Sequence, residues 1–407
     1  MHLAPVDMTR FQAQKPTGNF IHIRKGLKLT VIQRPILWVL LALVLTGCGI
    51  GGSSWAGVST TADQDEIYVS YGNFIAKLAP DGERLWVYPP DDLRDADFFA
   101  EVSYNDDAVF VGDYGGNVHA IDRETGERIW AYEVGGTSLF GFADFGGSTN
   151  RIIAGIAVGE DVLYVPGEDG IFLLDIETGE LREDWELETE RGVWSKPLLM
   201  PGDDARLYVT SLDHNLYAID PIDGEVIWKT DLNGAAPGSP IYDEEHDVLF
   251  AGTFSSEIVA VNAEDGEIIN RFEAEGWVWE APALVDGTLY FGDLAGYLYA
   301  VTYNDGEFEE GWRQPVTTEG KLRATPLVTE DLVIVGGGGD KQIYAVERET
   351  GNAEWAQPVR DSAISALVQI PSDDDMLVVT ATDERDEMLV GLRLENGNVS
   401  WTYRHED

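Results

Sequence analysis

Cys48 is the single cysteine of this 407-residue chain, so its thiol has no intrachain disulfide partner. Beyond it the candidates for chemistry are four histidines, His119, His214, His246 and His405, and a large stock of carboxylates. A zinc-type site needs three or four ligands converging on one point, and these histidines sit in unrelated contexts, which argues against a metal. The Asp-rich stretches recur at one register. None has the Asp-x-Asp-x-Asp-Gly spacing with a distal Glu that wraps Ca2+. Gly336 to Gly339 is a glycine run, but no Gly-Lys-Ser/Thr follows it, so a phosphate cradle is not expected. The residue types therefore predict no catalytic constellation, no metal and no cofactor.

The surroundings of Cys48 suggest a different use for its thiol. Residues 1–35 are basic and carry no long apolar run. Residues 36–47, ILWVLLALVLTG, are apolar or small throughout. That stretch is too short to span a bilayer as a helix but suits the apolar segment of an export signal. Leu45-Thr46-Gly47-Cys48 resembles the bacterial lipobox, an aliphatic residue and two small ones before a cysteine. The resemblance implies cleavage before Cys48, lipidation of its sulfur and a membrane anchored through that lipid. Residues 1–47 are then a signal peptide with a long basic region, and residues 48–54 are the lipidated cysteine with a Gly/Ser tether. Six extended residues reach only ~20 Å, so the folded body stays close to the membrane.

That body is strongly acidic: 73 Asp and Glu against 27 Lys and Arg give the chain a net charge of −46. Such a surface repels nucleic acid, so none is expected as a partner. Its plain consequence is a well-solvated, aggregation-resistant exterior.

The elements that position these residues appear as a repeat. A small or apolar residue is followed six positions later by Gly and, in most copies, by Trp four positions beyond. The copies are Ala76, Gly82 and Trp86; Ala120, Gly126 and Trp130; Leu173, Gly179 and Trp185; and Ala218, Gly224 and Trp228. They continue with Ala260 and Gly266, where Phe272 replaces the Trp; Ala300, Gly306 and Trp312; Ala345, Gly351 and Trp355; and Gly391, Gly397 and Trp401. The glycines recur every 40–53 residues. Eight copies at that period predict an all-β, eight-bladed propeller of four-stranded antiparallel blades over residues 55–405. In the fourth unit the strands are expected at 194–200, 206–210, 214–219 and 225–230, from their alternation and β-branched or aromatic content. The glycine supplies a positive φ in a tight hairpin. Asp122 and Asp220 can bond the turn's own backbone, and the Trp is expected to dock between neighbouring blades.

The copy from Ala120 to Trp130, AIDRETGERIW, matches A-x-D-x-x-T-G-x-x-x-W. By this motif the chain resembles the pyrroloquinoline-quinone-like propeller repeat family. The resemblance implies the fold but not the cofactor, since many members bind none. The adjacent cysteine pair of many quinone-dependent members cannot exist in a chain with one cysteine.

In a propeller the A–B and C–D turns share one face, and here they carry more than half of the 73 acids. The opposite face has Gly-rich B–C turns and crossovers bearing Lys196, Lys321, Arg323, Arg360, Trp55, Phe99, Trp194, Trp277 and Trp279. Its longest crossover, 135–149, carries Phe140, Phe142 and Phe145, which form either an interface or a cap over the axial channel. Candidate partner-binding residues are Phe140, Phe142, Phe145, Trp194, Trp277 and Trp279. Strand A of the first blade follows the tether, so this aromatic face is expected toward the membrane.

Lipobox, eight-bladed body and lack of catalytic residues together resemble the BamB family of propeller lipoproteins of the outer-membrane β-barrel assembly machinery. The resemblance implies a non-catalytic envelope scaffold that docks a membrane-associated protein partner through its loops. Its place would be the periplasmic face of the outer membrane, or the outer face of the cytoplasmic membrane in a one-membrane envelope. The competing reading is a propeller holding a sugar, peptide or small ligand in an axial funnel lined by the strand-A aromatics. A quinone-dependent dehydrogenase ranks third.

Overall fold

The computed structural model describes residues 57–89, 96–134, 150–202, 204–363, 365–372, 376–382 and 387–404. The expected leader, Cys48, Trp55, Phe140, Phe142, Phe145 and His405 lie outside the described residues.

Alternating apolar strands separated by Asp- and Gly-rich turns fold into eight antiparallel sheets, each with its strands in chain order. Blade 1 comprises strand A Gly57–Thr60, B Ile67–Tyr71, C Phe74–Leu78 and D Arg84–Tyr88. The strand A segments of blades 2 to 8 are Ser103–Tyr104, Ala157–Val158, Leu198–Met200, Ile241–Asp243, Ala283–Val285, Leu327–Val328 and Leu367–Pro371. The D strands alternate exposed and half-buried residues on the rim, whereas B and C are almost wholly buried.

In the fourth blade, strand A is shorter than the sequence predicts, Leu198–Met200, because only these residues pair with strand B, from Leu198 opposite Tyr208 to Met200 opposite Arg206. Its strand C begins at Asn215, one residue late, because His214 takes a φ of 76° in the turn. Strand D is Val226–Asp231. Blades 6 and 7 each gain a short fifth segment: Val316–Thr317 pairs Tyr297–Leu298, and Lys321–Leu322 pairs Gly337–Gly338. In blade 6 strand D ends early at Glu310, where the N–H groups of Gly311 and Trp312 both turn to the Ala300 carbonyl.

The core is divided among the blade interfaces. Each hydrophobic cluster joins two consecutive blades; Val111 and Ile121 of blade 2, for example, pack with Tyr68, Ile75 and Trp86 of blade 1. Closure follows the same rule. Val58, Ile67 and Leu78 of blade 1 pack with Ile370, Leu377 and Val379 of blade 8, with no strand exchanged between them.

The repeat glycines and tryptophans sit at these interfaces. Gly82, Gly126, Gly179, Gly224, Gly266, Gly306, Gly351 and Gly397 all have φ between 71° and 88° in the C–D turn, a region that disfavours any side chain. The indole of one blade lies on the turn glycine of the next: Trp86 on Gly126, Trp130 on Gly179, Trp185 on Gly224, Trp228 on Gly266, Trp312 on Gly351 and Trp355 on Gly397. Trp401 closes the ring on Gly82. Most of these indole N–H groups donate to the neighbouring turn, as Trp130 does to the Ile176 carbonyl at 3.1 Å. Those of Trp185 and Trp401 find no acceptor among the described residues. Trp86, Trp185 and Trp312 are buried, while Trp130, Trp228, Trp355 and Trp401 remain partly exposed. Asp122 braces its turn by accepting from the N–H of Thr125 at 2.7 Å and of Glu124 at 3.1 Å. Asp220 accepts from the Ile222 N–H at 2.8 Å.

Candidate functional site

Eight strand A segments converging on one axis leave a central cavity of about 180 Å³ at the face where they begin. One register lines much of it. The residue two positions before strand A is Glu101, Gly155, Lys196, Ser239, Thr325 or Ser365 in the respective blades, and all six face the cavity. Phe99, Trp194, Trp279, Glu280 and Arg323 complete its walls.

Hydroxyls between neighbouring blades hold this ring in place. Ser70 donates to the Ala100 carbonyl at 2.5 Å, Thr210 to that of Gly238 at 2.6 Å and Thr325 to that of Ala281 at 2.9 Å. Such bonds span 28–44 residues of sequence and tie adjacent blades beside the axis.

The charges of the cavity follow from this arrangement. Lys196 of blade 4 reaches across blade 3 to Glu101 of blade 2, with Nζ 3.2 Å from Oε1. The crossing is possible because blade 3 supplies Gly155 there: a Cβ on it would lie 2.6 Å from the Glu101 carboxylate and 3.0 Å from the Lys196 chain. Glu280 has no ion-pair partner among the described residues. Burial, and then the nearby Glu101 charge, push its carboxyl up to about 8, with N–H groups of Ala281 and Ser239 only partly opposing. Arg323 stacks its guanidinium 5.2 Å from the Trp279 ring centre, and its buried Nε, like the Trp194 indole N–H, has no hydrogen-bond partner among the described residues.

The sequence-derived candidates divide around this cavity. Trp194 and Trp279 line it, with Phe99. Trp277 stands 52% exposed and stacks on Phe254 of the blade 5 B–C turn at 4.9 Å, and Phe254 also meets Trp279 at 5.2 Å. Phe254, Trp277, Trp279 and Arg323 thus form one aromatic–cationic shelf. Arg360 pairs with Glu387 at 2.8 Å instead. Reading single motifs misses Glu101, Glu280 and Phe254; aligning the repeats and reading down the column before strand A exposes Glu101 and its register mates.

The described histidines lie apart from the cavity. Buried His119 bridges Asp113 at 3.1 Å and Tyr88 at 3.0 Å, tying blade 2 to blade 1. Burial alone would raise the Asp113 carboxyl, but hydrogen bonds from His119 and Asn117 outweigh it and hold the group below the usual carboxylate range. Asp293 holds the same turn position, and Asp213 and Asp340 sit two residues later in theirs; the three accept from Tyr299 at 3.0 Å, Tyr217 at 2.6 Å and Tyr344 at 2.6 Å. These carboxylates clamp the B–C turns. His246 pairs with Asp243 at 2.7 Å, and that hydrogen bond raises its affinity for a proton. Among the described residues no three His, Cys, Asp or Glu side chains gather as metal ligands.

The family profile described as outer membrane protein assembly factor BamB matches residues 72–186, 183–252 and 254–407. A BamB from Burkholderia pseudomallei is 25% identical over 61% of this chain, a stretch that spans only 62% of that relative. A quinohemoprotein alcohol dehydrogenase of Pseudomonas putida is 27% identical, over 44% of this chain and 22% of its own length. Among solved structures, BamB from Moraxella catarrhalis superposes with a TM-score of 0.63 at 17% identity, covering 80% of this chain and 93% of that one. At this identity the superposition shows the fold alone.

Proposed function

The chain belongs to the family of outer membrane protein assembly factor BamB, and on that premise we propose that it is a non-catalytic, lipid-anchored scaffold of the cell envelope that assists outer-membrane protein assembly. The observation that carries this reading is the family match, which runs through nearly the whole propeller. The layout of the body supports it. Blade 1 begins at Gly57, which lines the axial cavity, so the chain enters the ring on the aromatic face. A short lipid tether before it would turn that face, with Trp277, toward the membrane and a membrane-embedded partner. The acidic turns would then face away, where anionic headgroups do not repel them at short range.

Affinity purification of the full-length protein from detergent-solubilised envelopes tests the proposal. Co-recovery of a β-barrel assembly complex is the expected result. Recovery of the protein alone, or with a cytoplasmic-membrane complex only, would overturn it. The axial cavity favours a second reading, an occupant in the funnel, which is compatible with scaffolding.

A further inference from the structure

The axial cavity holds two ionisable groups of opposite chemistry that have no ion pair among the described residues. Lys196 and Glu101 neutralise one another across Gly155. That leaves the Glu280 carboxyl and the Arg323 guanidinium, neither with an ion pair among the described residues. The two side chains line the same cavity but are not paired with each other. A guanidinium that lines an open cavity without an ion-pair partner among the described residues can take an anionic ligand group. A carboxylate would match the guanidinium with charge-assisted bonds. The remaining carboxyl, Glu280, and the faces of Phe99, Trp194 and Trp279 together suit an ammonium group, which aromatic faces attract. The volume, about 180 Å³, fits one small molecule and excludes a folded segment.

We propose that the axial cavity is a binding site for a small zwitterion of the amino-acid or betaine type. Its carboxylate meets Arg323, and its ammonium lies between Glu280 and the indole walls. A simple anion would satisfy Arg323 but leave the Glu280 carboxyl without a cation. A simple cation would satisfy Glu280 and leave the guanidinium donor bare. Only a ligand carrying both charges matches both groups. The inference rests on this cavity and not on the scaffolding role, so either can fail without the other.

The test is calorimetric titration of the mature protein at low salt with L-leucine, L-phenylalanine and glycine betaine. Two matched controls are 3-methylbutylamine, which lacks the carboxylate of leucine, and 4-methylpentanoate, which lacks its amine. Trp194 and Trp279 supply a second readout through their fluorescence. At least one zwitterion is expected to bind about tenfold more tightly than either control, a difference of ~1.4 kcal/mol. Glu280→Gln and Arg323→Gln should each weaken that zwitterion about tenfold. Arg323→Lys should recover part of the loss, and thermal melting should show all three variants folded. No binding by any zwitterion up to about 10 mM, equal binding by a single-charge control, or indifference to both Gln variants would overturn the assignment.

Discussion

Replacing Gly179 by Ala adds one methyl group where blade 3 receives the indole of blade 2. The new Cβ would lie 2.5 Å from Cε3 and 2.6 Å from Cδ2 of Trp130, and every close contact is with the ring. Gly179 also has a φ of 72°. The left-handed backbone costs an alanine about 1–2 kcal/mol. Overpacking against the ring costs about 1–3 kcal/mol more. Trp130→Ala removes the ring and its bond to the Ile176 carbonyl. A fully buried Trp costs about 3–5 kcal/mol, and Trp130 is partly exposed, so about 2–3 kcal/mol is expected. In the double variant the steric part of the glycine substitution vanishes while the backbone part remains. The double variant should therefore be about 1–3 kcal/mol more stable than the sum of the single costs predicts. Urea unfolding followed by far-UV circular dichroism measures all four proteins. Additivity within about 0.5 kcal/mol, or a neutral Gly179→Ala, would refute the reading of the Trp–Gly contact as a tight blade-to-blade joint.

Cys48→Ser should leave the precursor unprocessed and move the protein from the membrane to the soluble fraction; normal maturation and membrane retention would contradict lipidation. Asp113→Asn should destabilise blade 2 near neutral pH and flatten the acid limb of the stability curve. Because the folded-state pKa of Asp113 is lowered, its contribution is present above the ordinary carboxylate range and fades as pH falls through the folded value; an unchanged acid limb would refute this. Glutamate substitutions at Phe140, Phe142 and Phe145 should weaken partner capture in the affinity purification while melting stays normal. Charge reversal at Glu127 or Glu180 on the acidic face should leave capture intact, and the opposite pattern would place the partner on that face.

Blade number, turn positions and the positions of the repeat glycines were legible in the sequence because each depends on a few neighbouring residues. A C–D turn that needs a positive φ accepts glycine readily, and the Asp that braces it lies four residues away, as Asp122 does from Gly126. Side-chain alternation marks strands for the same local reason. The short strand A of blade 4 was not legible, because its length is set by pairing with strand B, from Leu198 opposite Tyr208 to Met200 opposite Arg206. Only the tertiary structure decided which tryptophans are deeply buried. Trp86 and Trp130 share one motif, yet Trp86 is 8% exposed and Trp130 more open, because burial depends on the neighbouring blade. The axial cavity is the clearest case. Glu101, Lys196, Glu280 and Arg323 come from four blades and share no motif, and Gly155 of a fifth makes room for the first two to meet. Closing the ring brings these residues to one axis, so the Lys196–Glu101 pair, and the two groups left without an ion pair among the described residues, arise only from long-range geometry.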